Sequence, residues 1–252
     1  MRKQWWVGTC MLFLGILPVM GQVHMGITLP RRSYVVGESI AATVVVQSQS
    51  PMPLVLGREH HNAELLLEIS SNQGGRGRQP ERKRVQRDIV IMPGTTMRDI
   101  VEITSLYNFL GPGNYRLHAV LLHEGAGYLS ATFAFDVVRG IEMRALRQML
   151  PGYSDIELVY SFRYASREGR EEAFMVIESP DGRSLFGTFA LGPLLRLYQP
   201  VIRARADGTV AVVHQSGRNR FSRSIFRVDR GGAEFVEQRH FRSDGSLISQ
   251  DR

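Results

Sequence analysis

Ile40-Ala41-Ala42-Thr43-Val44-Val45-Val46-Gln47 decides the fold. The stretch is rich in β-branched residues, which lose rotamer freedom in a helix and pack well on a pleated surface. Gly37 precedes it and Ser48-Gln49-Ser50-Pro51 follows it, so it has the length of a strand rather than a helix. Working outward, similar short runs recur: Ala63 to Ser70 (AELLLEIS), Asp88 to Met92 (DIVIM), Asp99 to Thr104 (DIVEIT), Tyr115 to Leu122 (YRLHAVLL) and Leu129 to Val138 (LSATFAFDVV). Clusters of Gly, Pro, Asn and Ser separate them, Pro93-Gly94 being the sharpest. Short β-runs at this spacing predict an all-β chain that begins with an antiparallel sandwich.

Two local patterns refine that expectation. Tyr34-Val35-Val36-Gly37-Glu38 leads into the first long strand, with Gly37 suited to a turn. Leu110-Gly111-Pro112-Gly113-Asn114-Tyr115 places a tyrosine at a strand start just after a Pro-Gly turn. This resembles the tyrosine corner of immunoglobulin-like sandwiches, in which the phenol bonds back to an upstream backbone group, and Tyr115 is the structural candidate. The cysteine pair and core tryptophan of antibody domains are missing from residues 22–138, so a fibronectin-III-like or bacterial Ig-like variant is expected there.

Residues 139–152 read differently. Apolar side chains at Ile141, Ala145, Leu146, Met149 and Leu150 fit one face of a short helix, stopped by Pro151-Gly152. That segment is expected to be a linker with a short helix. Beyond it, residues 153–252 return to β-runs with hairpin chemistry: a Gly169 turn, then Asp-Gly pairs at 181, 207 and 244. The uneven spacing of those pairs argues against a propeller repeat. The expectation is a second antiparallel meander, closed as a small barrel or folded as a sandwich.

The stretch Leu191-Gly192-Pro193-Leu194, then Pro200, Asp207 through Gly217 (DGTVAVVHQSG) and Phe221, resembles the C-terminal half of a group of uncharacterised exported two-domain proteins from Verrucomicrobia-like bacteria. In that group an Ig-like or fibronectin-III-like half comes first. The resemblance covers most of residues 23–245. It implies architecture and location and carries no activity with it.

The first 21 residues read as an address. Arg2 and Lys3 precede an apolar run from Val7 to Met20, and a cut after Gly21 would leave small or apolar residues around the site. Pro18 and Gly21 interrupt the run too early for a membrane span. The expectation is a cleaved signal peptide and export to the periplasm, the outer surface or the medium, with no transmembrane span in the mature chain. Cys10, the sole cysteine, lies inside the apolar run, which is the wrong place for a lipid attachment. One cysteine excludes an internal disulfide, a cysteine-based zinc site and a CxxC redox pair.

The chain has 252 residues, 43% of them hydrophobic, with 31 Lys+Arg against 24 Asp+Glu. Nearly all the positive charge is arginine, since lysine occurs only at 3 and 83. The densest basic stretch is Gly74 to Arg87 (GGRGRQPERKRVQR), with six basic residues and one acid. Its glycines and proline suggest a flexible loop. Arg76, Arg78, Arg82, Lys83, Arg84 and Arg87 are therefore the candidate contacts to an anionic surface, against the alternative of a solvated insertion. No aromatic residue interleaves with them, so base stacking is unsupported. Export also removes nucleic acid as a natural partner, and an anionic glycan or another envelope protein is expected instead.

Catalytic signals are sparse. There is no GxSxG elbow and no SxxK, so no catalytic residue is assigned. A triad assembled from distant strands leaves no sequence signature. Glu59-His60-His61-Asn62-Ala63-Glu64 packs two imidazoles and two carboxylates together, but successive strand residues diverge, and it reads better as a polar loop. No metal site and no cofactor is assigned. His118 and His123 are oddly spaced on one run, and His214 reads as a solvated strand end. Arg167, Glu168, Arg170, Glu171 and Glu172 read as a solvated turn of mixed charge. Three function classes follow: an envelope or cell-surface binding or structural module without enzymatic activity, an inhibitor- or chaperone-like sandwich that binds protein, and a hydrolase with a concealed triad.

Overall fold

The computed structural model describes residues 23–57, 61–73, 76–77, 80–107 and 111–248. The expected signal peptide lies outside them. The described chain is almost entirely β. In the first half the strands are β1 (Val23–Thr28), β2 (Ser33–Val35), β3 (Ala41–Ser48), β4 (Leu54–Leu56), β5 (Ala63–Gln73), β6 (Arg76–Gly77), β7 (Glu81–Arg84), β8 (Ile89–Ile91), β9 (Thr96–Glu102), β10 (Gly113–His123), β11 (Ala126–Leu129) and β12 (Phe133–Val138). A single-turn helix, α1 (Ile103–Leu106), follows β9. The second half has β13 (Ile141–Met149), β14 (Glu157–Arg167), β15 (Arg170–Glu178), β16 (Leu185–Pro193), β17 (Val201–Ala204), β18 (Val210–Gly217), β19 (Arg220–Asp229) and β20 (Gly232–Phe241).

The first half is an Ig-like β-sandwich. One sheet has the order β1-β3-β9, and the other runs β2-β12-β10-β5-β4-β8 with β6, β7 and β11 paired at its flanks. β2 joins β12 in parallel, a switch of the first strand from one sheet to the other. Period-two burial carries the core: Ala42, Val44 and Val46 of β3 are fully buried while their neighbours are half exposed. Tyr115 donates its phenol proton to the Gly111 carbonyl at 3.0 Å and stacks on Phe135 with ring centroids 5.4 Å apart. Tyr107 closes the opposite side of the core, donating to the Leu67 carbonyl at 2.6 Å.

The second half resolves the choice between barrel and sandwich in favour of the sandwich. It is two four-stranded meanders, β13-β14-β15-β16 and β17-β18-β19-β20, each turning back through tight hairpins. Gly182 and Gly208 take φ of +67° and +81° in their Asp-Gly turns, a conformation that costs glycine little. Leu158, Tyr160, Phe162 and Met175 from one meander meet Val210, Val212 and Phe226 from the other in a single core.

The helix expected within 139–152 is absent: Ile141–Met149 is an edge strand paired with β14. The misreading has a physical cause. The register slips between Glu142 and Arg144, so Met143 occupies a β-bulge. The extra residue lets Met143 face the same core as Leu146. A bulge converts period two into a spacing of three, which imitates a helix turn.

A candidate anion-binding cleft between the two sandwiches

The halves meet through a third, smaller apolar cluster. Val35 of β2 packs against Ala165, Phe174 and Val176, with Val138 and Leu185 beside them. β14 and β15 thus bury both faces, Met175 and Ile177 inward and Phe174 and Val176 against the first sandwich. The turn after β2 seals the contact. Gly37 sits at φ +79°, and a Cβ there would fall 2.0 Å from Leu185 Cδ2. Thr188 Oγ1 donates to the Val36 carbonyl at 2.7 Å.

A buried ion pair spans the same contact. Arg167, at the end of β14, donates through Nη1 to Glu38 Oε1 at 2.9 Å and through Nη2 to Glu38 Oε2. Glu172 takes a further bond from Nη1 at 3.1 Å. Glu38 in turn accepts from Arg31 Nη1 at 2.7 Å and from the Val35 backbone N–H at 2.9 Å. The guanidinium lies 4.6 Å over the Phe174 ring. Its Nε is buried with no hydrogen-bond partner among the described residues. The turn of mixed charge is therefore not simply solvated: Arg167 is 6% exposed and Glu38 8%. Two charges removed from water are tolerated here because the forked geometry satisfies most of their hydrogen bonds.

Beside this pair opens a cleft of about 770 Å³, lined on one wall by Leu29, Pro30, Arg31, Arg32, Ser33 and Phe133. Ser166, Arg167, Glu168, Arg170 and Glu172 form the other wall. Arg31 and Arg167 are committed to Glu38. Arg32 and Arg170 make no ion pair or side-chain hydrogen bond with any described residue. The cleft thus offers two uncommitted guanidiniums against one carboxylate without a described ion partner, Glu168, with two serines and an apolar wall. That composition keeps positive charge in excess and suits an anionic ligand with some apolar surface.

The basic stretch has a different environment. Residues 81–84 form strand β7 against β5, not a flexible loop, with Leu67 opposite Lys83. Arg82 is paired with Glu68, Lys83 with Glu81 at 2.9 Å, Arg84 with Glu64 at 3.3 Å and Arg87 with Asp99 at 3.0 Å. Four of the six candidate cations therefore have carboxylate partners. Arg78 and the side chain of Arg76 lie outside the described residues. Glu64 serves Arg84, while Glu59 and His60 also lie outside the described residues.

His214 departs most from its sequence reading. Its ring is 2% exposed and tilts against Phe162 at 5.5 Å. Neither nitrogen is in hydrogen-bonding geometry with a partner among the described residues. Burial pushes its pKa down to about 4, with His240 acting in the same direction and the Pro193 carbonyl opposing. His214, Ser222 and His240 occupy directly opposed positions on β18, β19 and β20, so they share the inward face. Ser222 Oγ donates to Ser216 Oγ at 2.8 Å and lies 2.8 Å from His240 Nδ1. Ser216, Ser222 and His240 border a small pocket of about 210 Å³, whose lining does not include His214. No described carboxylate contacts His240, and Ser222 is fully buried. The row lacks both the orienting acid and the exposed nucleophile of a triad.

No protein-family model matches the chain, and no curated protein matches it. Similarity appears among solved structures. The alkylpurine DNA glycosylase AlkC of Pseudomonas fluorescens, bound to DNA containing an abasic site analog, matches at 15% identity and TM-score 0.34, over 46% of this chain and 30% of that one. The sporulation control protein Spo0M of Bacillus subtilis matches at 12% identity and TM-score 0.33, over 89% and 92%. The CsuC-CsuE chaperone-tip adhesion subunit complex of Acinetobacter baumannii matches at 11% identity and TM-score 0.23, over 84% and 97%. Overlaps this loose do not bear on what the chain does.

Proposed function

We propose that this chain is an exported binding module, without enzymatic activity, whose ligand carries negative charge and seats in the cleft between its two sandwiches. The observation that carries the reading is the pair Arg32 and Arg170. Both line the cleft, they come from different halves, and both lack a described partner. Other arginines of the fold also lack an ion pair, but these two come from different halves and line one cavity, which brings their charges together where an external anion can meet both. An anionic glycan fits best, because Phe133 and Pro30 offer apolar surface beside the charges. Export rests on the leader pattern at residues 1–21. Among the described residues no helix is long and apolar enough to cross a membrane.

Isothermal titration with a heparin tetrasaccharide tests the site. Arg32→Glu/Arg170→Glu should weaken binding at least about tenfold, whereas Lys83→Gln/Arg84→Gln should change it less than about twofold. Equal losses in both variants, or loss only in the second, would overturn the assignment. Export is checked separately, by sequencing the N-terminus of the periplasmic product in a bacterial host. A start at Gln22 supports it, and an intact Met1 in the cytoplasm refutes it.

A further inference from the structure

We propose that the end of the second sandwich around the β18–β19 turn docks on an anionic lipid surface. Leu197, Tyr198 and Leu247 are 70%, 62% and 59% exposed. Single exposed apolar side chains are ordinary, but Tyr198 and Leu247 belong to one continuous row, and Leu197 adjoins Tyr198 in the chain. The Tyr198 ring meets Phe221 with centroids 5.9 Å apart. Phe221 is the cross-strand partner of Phe241, and Phe241 is bridged to Leu247. The row therefore crosses the outer face of the sheet from the loop before β17 to the segment after β20.

Positive charge borders the same end. Arg218 lies in the β18–β19 turn and Arg242 follows β20, while Arg220, which opens β19, lines the small pocket beside Ser222 and His240 at the same end. Ser243 bonds to Asn219 Oδ1 through its backbone N–H at 3.1 Å, which holds the segment carrying Arg242 against the turn carrying Arg218. None of the three arginines forms an ion pair with a described carboxylate. Asp244, in the same turn as Arg242, offsets part of one charge. Guanidiniums at this level can fork onto phosphate oxygens while the apolar row sinks among the upper acyl carbons.

The side-chain types favour lipid over sugar. Sugar recognition rewards several open flat rings, and of the three rings here only Tyr198 is open, Phe221 and Phe241 being half exposed. Of the three most exposed members, Leu197 and Leu247 are aliphatic and gain from removal into an acyl boundary, and Tyr198 is an amphipathic ring of the kind that sits at a membrane interface. With three arginines, one of them partly offset by Asp244, and a short apolar row, attachment is reversible and salt-sensitive. It does not depend on the cleft.

The test is co-sedimentation of the full chain with vesicles of phosphatidylcholine alone, and with about one-third phosphatidylglycerol added. The chain should partition onto the anionic vesicles only, and less as salt rises. Arg218→Glu/Arg242→Glu should weaken partition about thirtyfold, and Leu197→Ser/Leu247→Ser should also reduce it. Arg32→Glu/Arg170→Glu should bind vesicles like the parent, which separates this surface from the cleft. All four positions in the end variants are exposed, so unchanged thermal midpoints confirm folding. Equal binding to neutral vesicles, parental binding by both end variants, or displacement from the same end by a soluble anionic polysaccharide would each overturn the proposal.

Discussion

Two groups of basic residues differ in everything except composition. Residues 82–87 are close in sequence and spread along a ribbon edge, where Glu68, Glu81, Glu64 and Asp99 each take one cation. Arg31, Arg32, Arg167 and Arg170 are more than 130 residues apart at their extremes, yet they converge on one cleft. The first group is conspicuous and largely neutralised by its neighbours. The second is inconspicuous in sequence and only half neutralised. What a charge does depends on the partner the fold supplies, and local density in the chain says little about that.

The contrast predicts a graded set of stability effects. Arg167→Ala should cost about 3–5 kcal/mol in chemical denaturation, because it leaves Glu38 buried with only its Arg31 and backbone contacts. A loss below about 1 kcal/mol would mean the junction is as loose as a surface pair. His214 extends the comparison to a buried group with no charged partner among the described residues. It is neutral in the folded chain until the pH nears 4, but in the unfolded chain it takes up a proton near 6.5. Its contribution is therefore complete above about pH 6.5 and declines as pH falls toward 4, by about 3 kcal/mol in total. Urea midpoints at pH 7.5 and 4.5 should separate less in His214→Leu than in the parent, and identical pH dependence would contradict the assignment. Gly37→Ala should cost about 2–3 kcal/mol by thermal melt, from its positive φ and the clash with Leu185. Lys83→Ala, breaking an exposed pair, should change stability by less than about 1 kcal/mol.

The strands were legible because their physics is local. Alternation marked β3 and β10, and Asp-Gly pairs marked the hairpins of the second sandwich. Tyr115 was legible from a Pro-Gly turn placed just before a strand. The helix expected at 141–150 failed because a bulge at Met143 shifted the period, and a bulge is set by pairing with β14. The cleft was illegible for a related reason: its two walls meet only after both sandwiches have formed. One signal did point to it. Ala173-Phe174-Met175-Val176-Ile177 is apolar without alternation, and all five residues are fully buried. An unbroken apolar strand in an otherwise alternating chain means a sheet covered on both faces. Here it marks the side of the second sandwich that meets the first. The burial of His214 left no comparable trace, since Val213-His214-Gln215 at a strand end reads the same whether or not the opposite meander covers it.

The central claim is that the uncommitted arginines at the junction, and not the paired ones on the ribbon, receive the anionic ligand. Amide shift mapping of the isotope-labelled chain during titration with the heparin tetrasaccharide addresses it directly. The account predicts saturable shifts at Arg32, Ser33, Ser166 and Arg170, with residues 81–87 unmoved. Shifts concentrated at 81–87, with the junction silent, would contradict it.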